Sequence, residues 1–284
     1  MAKRIPEQTV KAGDYTWVYR EVVPESPNDR PPLLLLHGLV AFGYSWRKVL
    51  PALAEQGFRA IAPDFPGFGA SDRPERLDFA YTPDAMLGLL DEFLDAMNLD
   101  RVSIVAQGFF GSLGIQYALR HPDRIERLAI INAPIFPEAK LPWKISQMAI
   151  PLVGDMMTQD PLLVDRLLEG GGPYQVDDAD LDVYRRPFLT SSGAGRALLA
   201  VLQNLRLKQS VQEITDGLTR WEKPTLVAWG TSDPWLPVAA AQAAAKTIAD
   251  CEFVEMDETG HYAQEDWPEK VAEALIPFLR RMAT

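Results

Sequence analysis

The sequence predicts an α/β protein: a mostly parallel, doubly wound sheet with an all-helical insertion before its last two strands. Three observations carry that expectation. Short apolar runs alternate with amphipathic helical segments over most of the chain, the pattern of strand–helix–strand units. The run at 33–36 is apolar at every position, as a central strand buried on both faces must be. From about 134 to 221 the rhythm stops, leaving helical periodicity and no convincing strand.

In chain order, residues 15–22 alternate and carry aromatic and β-branched side chains, which suits an early strand of either orientation, antiparallel included. Pro31-Pro32 punctuates before the 33–36 strand, which ends at His37-Gly38. Residues 46–55 have helical periodicity, 58–63 form a short apolar strand, and Asp64-Phe65-Pro66-Gly67-Phe68-Gly69 is a loop. Leu87, Leu90, Phe93 and Leu94 place an apolar stripe on a helix over 83–97. A strand at 102–107 turns sharply into a helix that runs to about 119, and 128–132 is the next strand. The last strands are 225–230 and 252–256, with a helix at 239–248 between them and a closing helix at 270–282. The resulting division is a core of 1–133 and 222–284 and a helical lid of 134–221. Within the lid, helical segments are expected at 141–152, 160–168, 178–185 and 194–204, with a flexible triplet at Gly170-Gly171-Gly172. Trp143, Met148, Met156, Met157, Tyr174, Tyr184 and Phe188 are its candidates for lining a pocket, against the plainer expectation that they pack the lid onto the sheet.

Composition narrows the function classes. A net charge of -11 argues against a nucleic-acid or anionic-lipid footprint. The single cysteine, Cys251, forms no internal disulfide and is compatible with a reducing compartment. The first eight residues contain no apolar stretch of leader type, and no run approaches the roughly 18 apolar residues of a spanning helix. A cytoplasmic protein with a small apolar molecule as its partner is expected. Neither a metal cluster nor a phosphate loop is present, since the 170–172 triplet lacks a following Lys-Ser/Thr. No cofactor is therefore expected.

Four motifs stand in order at strand ends: His37-Gly38-Leu39-Val40, the stretch from Pro63 to Asp72, Gly230-Thr231-Ser232-Asp233-Pro234-Trp235-Leu236-Pro237, and Gly260-His261-Tyr262-Ala263-Gln264-Glu265. They resemble the oxyanion loop, its following signature, the acid loop and the histidine loop of the α/β-hydrolase superfamily, most nearly its epoxide hydrolase and haloalkane dehalogenase branch. The resemblance covers about residues 15–280 and implies the α/β-hydrolase fold. It also implies a nucleophile, an acid and a histidine in that chain order. Asp233 and His261 fit the last two roles, with Asp233 orienting the imidazole. His37 belongs to the oxyanion loop and His121 ends a helix, so His261 is the one credible base. Leu39 and Phe109 N–H groups are implied as the oxyanion donors. Some relatives place the acid after the preceding strand, where this chain has Asn132. Gln107, Asn132 and Trp235 are expected beside the substrate.

The nucleophile position is empty. In this family the turn after the 102–107 strand lifts a Ser, Cys or Asp above the sheet; here it is Gly108. Ser112 lies one helical turn too late and Ser103 sits inside the strand. An engineered knock-out would change one residue, whereas Ala106, Gln107 and Phe110 also depart from the family pattern. The Gln-Gly-Phe-Phe turn resembles a cyanobacterial and plastid group of α/β-hydrolase-like proteins without the usual nucleophile, and Tyr184-Arg185-Arg186-Pro187-Phe188 adds to that likeness. Asp64, Asp72 and the Arg185-Arg186 pair are expected to shape loops or the surface. Two functions remain open: an enzyme acting through a His261–Asp233 dyad without covalent catalysis, by hydrolysis of an ester or epoxide, a lyase step or cofactor-free oxygenation, and a non-catalytic protein that binds an apolar ligand or a partner.

Overall fold

The computed structural model describes residues 5–26 and 29–281. Eight strands form one sheet: β1 (Glu7–Ala12), β2 (Tyr15–Val22), β3 (Leu33–Leu36), β4 (Ala60–Asp64), β5 (Val102–Gln107), β6 (Ile125–Ile131), β7 (Thr225–Gly230) and β8 (Cys251–Met256). Their spatial order is β1-β2-β4-β3-β5-β6-β7-β8. The pairs β1–β2 and β2–β4 are antiparallel, and all the others are parallel.

Adjacent leucines of β3 point to opposite faces, and both faces are filled. Leu34 and Leu36 join Ile104, Leu90, Phe93 and Tyr117 beneath α2 (Pro83–Ala96) and α4 (Leu113–Arg120). Leu33 and Leu35 join Val105, Leu50, Val271 and Phe278 beneath α1 (Leu50–Glu55) and α13 (Pro268–Arg280). This two-sided burial explains why the central strands carry no polar alternation.

Between β6 and β7 the described residues hold six helices and no strand: α5 (Trp143–Gln147), α6 (Val153–Met157), α7 (Leu163–Glu169), α8 (Asp178–Thr190), α9 (Ser192–Asn204) and α10 (Leu207–Leu218). The remaining helices are α3 (Gly108–Gly111), α11 (Val238–Ala245) and α12 (Ala263–Asp266).

Several boundaries differ from the sequence reading. Strand β1 was not anticipated, because an edge strand of composition Glu-Gln-Thr-Val-Lys-Ala alternates exposed with half-buried positions and buries little. The helix expected over 141–152 stops at Gln147, and Leu152, just after Pro151, has φ 69°. Helix α10 was missed although Val211, Ile214 and Leu218 follow helical spacing. Residues 1–4, where the leader was sought, and Met282, expected in the last helix, lie outside the described residues. Among the described residues no helix is long and apolar enough to cross a membrane.

The chain reverses its direction of sheet growth at β3, which lies between β4 and β5. Ligands of open α/β sheets bind in the crevice outside the carboxyl ends at such a point. The loops carrying Leu39, Gly108, Asn132, Asp233 and His261 all follow the carboxyl ends of parallel strands.

Candidate active site

Strand β5 ends at Gln107, and Gly108 turns the chain into α3 with φ 71°. Only glycine adopts this backbone without steric cost. The N–H of Phe109, in the first turn of α3, has no carbonyl partner within the helix. A β-carbon built on Gly108 would stand 3.1 Å from Nε2 of His261 and 3.3 Å from Cα of Gly38. The elbow is thus aimed at His261, and a side chain there would crowd the imidazole.

His261 Nδ1 lies 2.9 Å from Asp233 Oδ2, and both side chains are fully buried. Asp233 Oδ1 accepts the N–H groups of Trp235 at 2.8 Å and Leu236 at 3.1 Å, while Oδ2 also accepts Asn132 Nδ2 at 2.8 Å. Asn132, in a left-handed backbone of φ 44°, takes the N–H of Gly230 on its Oδ1 at 3.0 Å. An acceptor-only carboxylate places the imidazole proton on Nδ1, leaving the Nε2 lone pair facing Gly108. Asp233, not Asn132, is therefore the side chain paired with the imidazole, and Asn132 holds it.

Aromatic rings enclose the imidazole. Phe109 stacks on it at 5.3 Å, Trp235 tilts over it at 4.7 Å and Tyr262 meets it edge-on at 5.1 Å. Gln107 donates Nε2 to the His261 carbonyl at 2.7 Å and accepts Gln264 Nε2 at 3.3 Å, so its amide serves the histidine loop. Tyr262 donates its hydroxyl to the Leu39 carbonyl at 3.0 Å, tying the two loops together.

The glycine triplet, expected to be flexible, is a packed joint. His261 N–H donates to Gly171 O at 2.6 Å. A β-carbon on Gly260 would come within 2.4 Å of Gly172 Cα and 2.5 Å of Gly171 O. Two backbones meet there more closely than any side chain permits.

A second tie between the helical segment and the histidine loop was not anticipated. Arg47 forms a two-pronged pair with Glu265, at 2.6 and 2.9 Å, and also pairs with Asp180 of α8. Tyr184 donates to Glu265, and Tyr44 donates to Asp180 at 2.7 Å. Burial, and then the Glu265 carboxylate, push the Tyr184 hydroxyl well above its ordinary pKa. The sequence offered Tyr184 as a pocket candidate, but nothing in it joined Arg47 to a residue 218 positions away.

The remaining candidates fall away from the dyad. His37 is boxed by Phe65, Phe68 and Phe110, donates Nδ1 to Gly38 O at 2.9 Å and accepts Phe65 N–H on Nε2. Burial pushes its pKa down to about 4. His121 stacks on Tyr117. Ser112 donates its hydroxyl to Phe109 O at 2.6 Å, and Ser103 sits near the opposite end of β5. Trp143 and Met156 are mostly exposed, whereas Met148 and Tyr184 are buried. Asp64 pairs with Arg20 at 2.8 Å in the core, Asp72 accepts Thr16 N–H at 2.7 Å, and Arg185 pairs with Asp165 at 2.6 Å.

Comparison with known proteins bears on the fold. Residues 31–170 match the family model described as the alpha/beta hydrolase fold. The chain is 30% identical over 258 residues to a 2-hydroxy-6-oxo-6-(2'-aminophenyl)hexa-2,4-dienoic acid hydrolase of Metapseudomonas resinovorans, covering 89% of this chain and 85% of that one. It is 29% identical over 270 residues to a haloalkane dehalogenase of Psychrobacter cryohalolentis, covering 90% and 85%. The crystal structure of a haloalkane dehalogenase from Agrobacterium tumefaciens superposes with a TM-score of 0.84 at 24% identity, over 99% of this chain and 98% of the other. An eight-stranded sheet with this strand order, the four motifs at its carboxyl ends and these relatives together establish that the chain belongs to the α/β-hydrolase superfamily.

Proposed function

We propose that the protein is a hydrolase-like enzyme acting on a small apolar substrate of ester or epoxide type, with no covalent intermediate at the elbow. The observation that carries this reading is the buried His261–Asp233 pair with Nε2 turned toward Gly108. In this mechanism Nε2 takes a proton from water as its oxygen bonds to the substrate carbon, Asp233 stabilises the imidazolium that forms, and the imidazolium returns the proton to the leaving oxygen as the ester or epoxide C–O bond breaks. The N–H groups of Leu39 and Phe109 receive the developing oxyanion. The helices of 134–221 act as a lid over the site, and Trp235 walls the substrate. Halide displacement of the kind named for the dehalogenase relatives calls for a nucleophilic side chain where this chain has Gly108, which aligns it instead with the cyanobacterial and plastid group lacking that residue.

A panel of aryl esters, epoxides and haloalkanes tests this reading. Turnover of one class, reduced by at least about 100-fold in His261→Ala, is the expected outcome; an unchanged rate in that variant sinks it. A second reading, a non-catalytic binder, is favoured by the 3.1 Å between Nε2 and the place of a β-carbon on Gly108 and by the full enclosure of His261. A co-purified apolar molecule, found by mass spectrometry in protein inert toward the whole panel, selects that alternative.

A further inference from the structure

The carboxyl ends of the strands hold the dyad; their amino ends hold a second concentration of charge. A pocket of about 200 Å³ opens between the starts of β3, β5 and β6 and the end of α13, and Arg30, Ser103, Arg127 and Arg281 line it. Among the residues lining it, the single carboxylate is Glu126, which already pairs with Arg101. Arg281 pairs with Asp250 at 3.1 Å and Glu252 at 3.5 Å. Arg127 is different. It is only 5% exposed, its Nη2 donates to the Arg281 carbonyl, and its Nη1 has no hydrogen-bond partner among the described residues.

A buried cationic donor without an acceptor is among the costliest features a fold can retain. Burial first, and then the repulsion of Arg30, hold the Arg127 guanidinium below its ordinary pKa, with Glu126 and Asp250 pulling against them and Arg281 adding to them. The sheet is also built irregularly to put it there. Pairing steps from Val102↔Ile125 to Ile104↔Leu128, two residues along β5 against three along β6. The extra residue falls at Glu126–Arg127, and such a bulge re-aims a side chain.

We propose that this pocket binds a small oxyanion, a phosphate or carboxylate group, on the guanidinium of Arg127, with Arg281 and the Ser103 hydroxyl beside it. Guanidinium donors match the oxygen spacing of both groups. The volume lies below the roughly 300–1,000 Å³ of sites for drug-sized ligands, so it suits an anionic head on a short stub rather than a nucleotide. Ser103 and Gly108 are separated along β5 by roughly 17 Å at about 3.3 Å per residue. The occupant is therefore not a substrate of the dyad, and the site stands whether or not the protein is an enzyme.

Calorimetric titration with inorganic phosphate, at constant ionic strength against chloride, is expected to give a saturable one-to-one isotherm and a dose-dependent rise in Tm. Acetate and glycerol phosphate, titrated alongside, separate the sources. Tightest binding of the ester, of acetate or of the free ion assigns a phosphorylated metabolite, a carboxylate or phosphate itself, and each supports the proposal. Arg127→Gln is expected to weaken the preferred anion by at least about tenfold, the loss of a charge-assisted hydrogen bond. Because Arg127 is buried, Arg281→Gln at a 43% exposed side chain supplies a second variant, expected to weaken binding severalfold. No saturable binding of any of the three anions beyond chloride, or isotherms unchanged in both variants, overturns the proposal.

Discussion

Nε2 of His261 stands 3.1 Å from the place a β-carbon on Gly108 would occupy. A side chain there must push the imidazole back by a few tenths of an ångström and hold a left-handed backbone. Gly108→Ala is expected to destabilise the fold by about 1–2 kcal/mol, chiefly through φ. Gly108→Ser bears the same backbone cost but brings a hydroxyl within reach of Nε2. Stoichiometric acylation of that hydroxyl by an activated aryl ester, seen by intact-protein mass spectrometry, is the expected outcome. No adduct in a folded variant means that the donors of the oxyanion site are misaligned.

The joint between Gly172 and Gly260 predicts an order of sensitivity. On Gly260 a methyl group meets backbone at 2.4 Å, whereas on Gly171 it meets the Tyr262 ring at 2.8 Å, which can tilt. Gly260→Ala is expected to cost about 3 kcal/mol or more and Gly171→Ala about 1 kcal/mol. Urea denaturation of both variants checks the ranking; equal losses would falsify the close-contact account.

Arg47, Glu265, Asp180 and Tyr184 predict non-additivity. Glu265→Gln leaves Arg47 buried with Asp180 as its remaining carboxylate, a loss of about 2–3 kcal/mol. Replacing Arg47 and Glu265 together by Met removes both charges, and the pair is expected to cost less than the two single changes summed. A double-mutant cycle on unfolding free energies measures this. Strict additivity contradicts direct coupling of the two side chains.

Stability against pH carries two opposed signatures. Burial lowers the His37 pKa to about 4 from an ordinary 6.5, so the unfolded chain binds the extra proton and stability falls as pH drops from 6.5 toward 4. Burial raises the Asp266 pKa to about 6 from 3.8, partly offset by the Gly260 N–H it accepts at 2.7 Å, so the folded state binds the extra proton and stability falls as pH rises from 4 to 6. The two slopes oppose each other between pH 4 and 6. Asp266→Asn keeps the acceptor and removes the Asp266 contribution that opposes the His37 slope. Its unfolding free energy is expected to fall faster than the parent's on acidification, by on the order of 1 kcal/mol per pH unit. Parallel curves reject the Asp266 assignment.

The sheet was legible because its signal is local. Four consecutive leucines at 33–36 and the loop motifs at strand ends need no tertiary knowledge. The pairing of Asp233 with His261 was legible for the same reason, since each sits in a recognisable loop. What escaped were contacts between distant segments. No periodicity announces that Gly171 and Gly172 touch Gly260, and three glycines in a row equally suit a hinge. Arg47 and Glu265 are unremarkable charges until the turn before α1 and the histidine loop meet in space. Strand β1 was hidden by its edge position, where one polar face against solvent erases the apolar alternation.

The glycine at the elbow also has a practical meaning for how such a protein is found. Reagents that survey hydrolases in cell extracts, such as fluorophosphonates and reactive epoxides, label a protein by capturing the attacking atom at the elbow. Gly108 offers them nothing to capture. A protein of this kind passes through covalent profiling unmarked however abundant or active it is, and only assays of turnover or of reversible occupancy will detect it.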